Sequence, residues 1–561
     1  MYRKVIGICV VLAFMLCSRA ISQQFAFRVS FTDKNNTPYS LSTPSAYLSS
    51  RAITRRATQG IAIDSTDLPV NRAYIDSVLV LTGGKWHTTS KWLNNCTILL
   101  AAADSANINN LTGKAFITEI KLIAYYTSNL HKPAATTADP VQSPGYKTTS
   151  FDAAYYNESW VQTSLVRGNY LHSNGFMGQG ILIAVFDAGF AGAHSIAGFD
   201  SMFNSGRVID TVDYVRHSNN IFDADSHGAD VLSTIAGYAP GSYVGAAPHA
   251  TFALYRTETG GSDQPIELDQ MIAATERADS IGADIISESV GYDVFDYPPG
   301  AGQVFAVDLD GKTTVGAKAA NFATKKGMLF VATAGNDGMG FGSWGNHILT
   351  PGDADSAFTI GSTNQYGVIA ASSGYGPNAA GRLKPDVACF GQGANVLIPG
   401  AIVSRNGTSI STPQVAGWAA CLWQANPNAT PYQIKQAIIR CASAYNSPDN
   451  HIGYGVPNFQ CTQQLLHVTD TPPPFTPTNW VIAAPNPSSG EIKIAVSPNS
   501  DNFVEFRLMD VTGKTVLSFS KNLFKGYNTP IVLSLQELPA GIYILKVVSP
   551  TQQKVIRLEK I

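Results

Sequence analysis

From about Ala153 to His467 the sequence alternates short apolar runs with helix-length amphipathic stretches, and this alternation limits the possible folds more than any other feature. The runs ILIAVFD, ATFALYR, ADIISESV, GMLFVATAG and AFTIGST are bounded by Gly, Asp, Asn or Pro, and patterns such as IELDQMIAATERADSIG lie between them. Short unbroken apolar runs read as strands covered on both faces, and a helix after each strand carries the chain back to start the next. The fold class that follows is α/β, a doubly wound, mostly parallel sheet with helices on both faces. Ligand sites in such sheets form beyond the carboxyl ends of the strands. Functional residues should therefore come directly after the apolar runs.

Four polar residues stand at such places. Asp187 closes ILIAVFD, where a buried strand end can shield and fix a carboxylate. His227 opens the helical run HGADVLSTIAG, beside Gly228, which lets the backbone pass close by. Asn336 follows GMLFVATAG and sits among glycines that could aim its amide into a cleft. Ser409 lies in RNGTSISTPQVAG (405–417), where small and hydroxylated residues lead into an apolar helix. Taken singly, each has a plain structural reading: a turn Asp, a surface histidine, an Asn-Asp-Gly turn, a helix cap. Taken together they are the set that acyl transfer requires, with a hydroxyl nucleophile, a base, a carboxylate to orient the base and a donor for the oxyanion. Gly407 would relieve the turn before Ser409, while Ser411 and Thr412 would pack and cap. Pro413, about one turn into the helix, removes a donor and is expected to kink it.

The blocks VFDAG, SHGADV, ATAGND and NGTSISTPQVAG, in the order Asp, His, Ser, resemble the signature blocks of the subtilisin family over about 300 residues. The resemblance implies a subtilisin-like serine endopeptidase. Asp187 would orient His227, His227 would move the proton, Ser409 would attack the peptide carbonyl, and Asn336 would share the oxyanion with the Ser409 N–H. It also implies a substrate strand at Ser289, Val290 and Gly291, with Gly291 leaving room for a side-chain pocket, and an opposite wall at Ala334 and Gly335. Asp337 at the rim could favour a basic substrate side chain. Two departures stand out. Ala229 and Asp230 replace the residues usual after the His-Gly pair, so altered packing or pH dependence is expected, and Cys389-Phe390 replaces a usual Ala-Pro. No cofactor is required; structural calcium is possible but no site is assigned, since Asp308 and Asp310 in VDLDGK read as a turn. A sedolisin-type protease would want Glu where His227 stands. The rival from another class is a secreted binding or adhesion protein on an inactive protease scaffold, which the intact set of four residues opposes.

The flanks fit an exported zymogen. Residues 1–22 have the form of a signal peptide: Arg3 and Lys4 precede the apolar run Val5 to Leu16, too short to span a bilayer, and Ala20-Ile21-Ser22 offers a cleavage position. Residues 23–127 show an extended FAFRVSF, a helical stretch over Ala46 to Arg56, and expected strands at Ser77 to Leu81 and Thr97 to Ala101. With GGKWHTTSKWLNNCTILLA and AFITEIKLI this segment resembles the α+β inhibitory propeptide of subtilases, whose last strand would lie through the active site. Residues 128–152 are a polar linker with the probable maturation site, 153–467 the catalytic domain, and 468–480 a Pro-rich linker. Residues 481–561 alternate strictly in short strands and form an all-β sandwich; PNPSSGEIKI, VTGKTV and LPAGIYILKVV resemble the sorting domains of type IX secretion. Expected partners are thus peptide substrates, the chain's own propeptide and the type IX machinery, with a secreted or surface location. A net charge of -2 with 14% charged residues offers no surface for nucleic acid. Cys421 reads as a packed hydrophobe, and the pairing of Cys389, Cys421, Cys441 and Cys461 is left open.

Overall fold

The computed structural model describes residues 23–126, 150–259, 263–293, 295, 306–338, 348–467, 480–484, 486, 488, 490–500, 502–523 and 531–560. The signal peptide, nearly all of the polar linker and the Pro-rich joint thus lie outside the described residues, as does any substrate-like course of the chain after Tyr126. The chain divides into two compact units, Met1–Gln464 and Leu465–Ile561.

The first unit begins with β1 (Gln24–Phe31), α1 (Ser50–Thr58), α2 (Arg72–Thr82), β2 (Lys85–Ser90), β3 (Asn95–Ala101) and β4 (Ile117–Tyr126). The strands form an antiparallel sheet in the order β2-β3-β1-β4. The strand expected at Ser77 to Leu81 is instead the C-terminal half of α2. Its β-branched content suggests a strand, but Ile75, Val78 and Thr82 recur at helical spacing and are the residues it buries. Val80, which a strand pattern would treat as core, is 82% exposed. Asn71 caps the helix by accepting from the Ala73 N–H, and Gly83 ends it in the left-handed region. The helical stretch expected over Ala46 to Arg56 falls slightly later, as a turn at Pro44–Ala46 followed by α1.

The central domain is built on seven parallel strands: β5 (Leu182–Asp187), β6 (Val208–Asp213), β7 (Thr251–Arg256), β8 (Ile285–Glu288), β9 (Leu329–Thr333), β10 (Phe358–Thr363) and β11 (Val387–Phe390). Their order is β11-β10-β9-β8-β5-β7-β6. Helices α3 (His227–Ala236), α4 (Ile266–Ile281) and α5 (Val315–Lys325) follow in chain order, then the hairpin β12 (Gln392–Ile398) and β13 (Ala401–Asn406), then α6 (Thr408–Ala425). Alternate residues of β5, Leu182, Ala184 and Phe186, join the core under α4 and α5, while α3 and α6 pack together on the other face. The chain order reverses between β5 and β8. That is the switch point at which an open α/β sheet leaves a crevice.

The N-terminal domain packs on α4 and α5 through buried charges. Arg56 binds Asp279 Oδ2 at 2.7 Å and Asp67 Oδ1 at 3.0 Å, and Lys326 reaches Asp67 at 3.0 Å. Glu276 on α4 accepts from Ser90 Oγ and from the N–H groups of Lys91 and Trp92 at 2.6, 2.8 and 3.0 Å. Each buried charge is multiply bonded, as the cost of burying it demands.

The second unit holds β14 (Val481–Ala484), β15 (Glu491–Val496), β16 (Asn502–Asp510), β17 (Thr515–Leu523), β18 (Ile531–Ser534), β19 (Gly541–Val548) and β20 (Gln553–Lys560). Two antiparallel sheets, β14-β15-β18 and β17-β16-β19-β20, enclose one core that includes Ile492, Ile494, Phe506 and Leu545. The strict alternation read from the sequence is the inward face of this sandwich.

Candidate active site

Asp187 is the last residue of β5, His227 the first of α3, and Ser409 the second of α6. The three meet at the switch point. His227 Nδ1 lies 2.8 Å from Asp187 Oδ1 and 3.1 Å from Oδ2, and His227 Nε2 lies 3.1 Å from Ser409 Oγ. Asp187 is fully buried and also accepts from the Ala188 N–H at 2.8 Å. Gly228 permits this approach: a Cβ there would meet Gly189 O at 2.4 Å and Asp187 Cβ at 2.9 Å. The Asp187 carboxylate raises the pKa of His227 to about 9, against the opposing effect of burial. A hydroxyl, an imidazole and a carboxylate in this sequence can pass a proton from Oγ to Nε2 while the carboxylate holds the ring.

The turn into α6 needs glycine at 407. Its φ is 143°, and a Cβ there would stand 3.0 Å from Ser409 Oγ. Asn336 Oδ1 accepts from the Thr408 N–H at 2.8 Å and from Thr408 Oγ1 at 3.1 Å, which fixes the amide at the residue before Ser409. With Oδ1 so occupied, Nδ2 is the group left to donate. The helix runs without a break through Pro413. Proline's missing N–H would have bonded the carbonyl four residues back, that of Ser409. Ser289 Oγ donates to that carbonyl instead, at 3.2 Å. Ser411 Oγ bonds Gly361 O at 3.0 Å and ties the helix to β10.

Ser289, Val290 and Gly291 follow β8, and Ala334 and Gly335 follow β9, so the two stretches lie beyond neighbouring strand ends. Asp337 follows Asn336 and is half-buried. Asp230, the departure beside His227, is buried and pairs with Arg405 of β13 at 2.7 Å. Cys389 and Phe390 extend β11, where burial pushes the Cys389 thiol up to about 12. Cys441 and Cys461 form a disulfide, while Cys96, Cys389 and Cys421 are free and buried. Asp310 accepts from the Lys312 and Thr313 N–H groups at 2.8 Å, closing the turn before α5. Among the described residues no group of three or more His, Cys, Asp or Glu could hold a metal ion, and no helix is long and apolar enough to cross a membrane.

Three family models match the chain. The Subtilase family covers residues 178–455, the Bacteroidota Peptidase S8 propeptide domain 26–139, and the secretion system C-terminal sorting domain 483–559. Alkaline elastase YaB of Bacillus sp. (strain YaB) is 28% identical over 280 residues, which is 50% of this chain and 63%, less than two thirds, of that relative's length. Subtilisin BL of Lederbergia lenta is 28% identical over 297 residues, 53% of this chain and 95% of that one. A crystal structure of MycP1 with its propeptide removed matches at a TM-score of 0.42 and 23% identity, over 54% of this chain and 96% of that one. The chain belongs to the subtilase family, with a propeptide domain ahead of its protease domain and a secretion sorting domain behind it.

Proposed function

We propose that this protein is a secreted serine endopeptidase made as a zymogen, with Ser409 as nucleophile, His227 as general base and acid, and Asp187 as the orienting carboxylate. The unbroken run of hydrogen bonds from Asp187 through His227 to Ser409 carries this reading. As Ser409 Oγ bonds the peptide carbonyl carbon, His227 Nε2 takes its proton and the oxyanion gathers donors from Asn336 Nδ2 and the Ser409 N–H. Collapse breaks the C–N bond, His227 gives the proton to the leaving amine, and water then cleaves the acyl-enzyme by the same route in reverse. No step needs a cofactor. Ser289, Val290, Gly291, Ala334 and Gly335 would hold the substrate backbone as an added strand.

Residues 23–127 would act as an intramolecular inhibitor, with maturation within 128–152, catalysis in 153–467 and a Pro-rich joint at 468–480. Residues 481–561 would engage the type IX machinery after the signal peptide at 1–22 has directed the chain across the inner membrane. A fluorophosphonate probe should label matured wild-type protein on Ser409 and leave the Ser409→Ala chain unlabelled and unprocessed. Failure to label the wild type would defeat the hydrolytic reading in favour of a binding scaffold.

A further inference from the structure

The stretches Ser289–Gly291 and Ala334–Gly335, which the family resemblance sets as opposite walls of a substrate side-chain pocket, share one neighbour. Leu349 reaches both. A carbon added to Gly291 would come within 3.0 Å of Leu349 Cβ and 3.3 Å of its Cδ1, so the leucine side chain lies directly over the Gly291 Cα. On the other wall, the Leu349 N–H is directed at the Ala334 carbonyl at 3.4 Å.

Nothing about this residue has the character of a movable lid. The Leu349 carbonyl accepts from the Asp353 N–H at 3.0 Å, and the next residue, Thr350, exchanges two backbone hydrogen bonds of 2.9 Å with Tyr292. Thr350 is fully buried, with its hydroxyl 2.6 Å from that of Thr314. Leu349 itself is 8% exposed. Its backbone is thus tied to the stretch after β9 and to the loop that leads into β10, its neighbour Thr350 is tied to the stretch after β8, and its side chain lies against Gly291.

We propose that Leu349 closes the pocket for the substrate residue on the acyl side of the cleaved bond, so that this protease cuts after Gly, Ala or Ser and rejects aromatic and long aliphatic residues. The inference rests on the two stretches being the pocket walls, and so on the hydrolytic reading. A packed site resists added methylenes because neighbours must leave their rotamers to admit them. Selectivity of ~10- to 200-fold for a single methylene sets the scale, so Ala over Phe should exceed about 100-fold in kcat/KM.

The test is a peptide library cleaved by matured wild-type protein and by Leu349→Ala and Leu349→Gly, with products sequenced by mass spectrometry. Cuts after small residues by the wild type, with at least about a tenfold gain after Leu or Phe in the variants, are the expected result. Wild-type cleavage after Phe, Tyr or Leu as readily as after Ala would overturn the proposal, as would a variant profile identical to wild type. Should both truncations fail to fold, Leu349→Val is read in their place and should admit larger residues to a lesser degree; an unchanged profile there counts against the proposal. Fluorophosphonate labelling of the same samples separates the two readings. An unlabelled wild type defeats the hydrolytic assignment, whereas a labelled enzyme with the wrong preference defeats only the role of Leu349.

Discussion

In the proposed mechanism His227 must be neutral at Nε2 to accept the Ser409 proton, so the charge that steadies its ring would also set when it can work. Asp187 lifts its pKa to about 9. Below that value the imidazole carries a proton and cannot serve as base; above it the base is free. kcat/KM for an amide substrate should therefore climb with pH through neutrality toward about 9. Asp187→Asn should move this limb toward the ordinary value of 6.5 and cut turnover by roughly 10⁴-fold, because the ring loses its orienting partner. A profile flat from pH 6 to 9, or one that Asp187→Asn leaves in place, would contradict this coupling. That Asp187, His227 and Ser409 would be brought together was legible because acyl transfer demands those residue types and the α/β pattern said where to look. Ser289's bond to the Ser409 carbonyl was not read, although the signal was present: a proline four residues after Ser409 leaves that carbonyl without its helix donor. Leu349 gave no signal, since its place opposite Gly291 depends on how a distant loop packs.

At the scale of elements, the buried apolar strands came through the sequence cleanly, while α2 did not, because a β-branched run outweighed the helical spacing that packing rewards. Strand β8 carries an unusual guest that affects stability. Glu288 is fully buried, and among the described residues neither of its carboxylate oxygens has a hydrogen-bond partner. Burial pushes its pKa well above the ordinary 4.5, and the nearby charges of Asp187 and Glu258 push it further. The folded chain therefore keeps this proton at a pH where the unfolded chain has lost it. The sign follows: the residue withdraws stability as pH rises above 4.5, by about 1.4 kcal/mol for each pH unit until the folded group itself ionises. Glu288→Gln in the Ser409→Ala background should raise Tm, and by more at pH 8 than at pH 5. Equal gains at the two pH values would show that the carboxyl is not held protonated in the fold.

At the scale of the whole molecule, composition and strand pattern suggested the segments and the family resemblance their roles, but neither showed the surface on which the propeptide domain sits, since Arg56 and Glu276 look like ordinary helix charges until the domains meet. One contact on that surface makes the docking depend on pH. The register of β2 with β3 skips His87, and this bulge gives it no partner in the sheet. His87 Nδ1 instead lies 2.7 Å from His217 Nε2 of the protease domain, and its Nε2 lies 3.1 Å from the amide of Gln270 on α4. One proton between the two rings satisfies both nitrogens, whereas a proton on each makes two donors face one another. The charged groups of the adjoining elements give little relief. Asp213 is held by Arg216 at 2.6 Å and Arg256 at 3.2 Å, and Asp269 is bonded to Arg28. Burial, with His217 adding to it, holds the His87 pKa down to about 3, and burial lowers that of His217. Because the docked pKa is below the free one, docking is strongest above pH 6.5 and is lost progressively as pH falls. From His87 alone the propeptide should bind about 30-fold more weakly at pH 5 than at pH 7.5. This can be read as the fraction of propeptide that co-elutes with the protease domain after the Ser409→Ala chain is cut in the linker by an added protease. His87→Gln with His217→Gln should bring the two pH values within about twofold. A double variant that still releases the propeptide in acid as the parent does would place the pH sensitivity elsewhere on the interface.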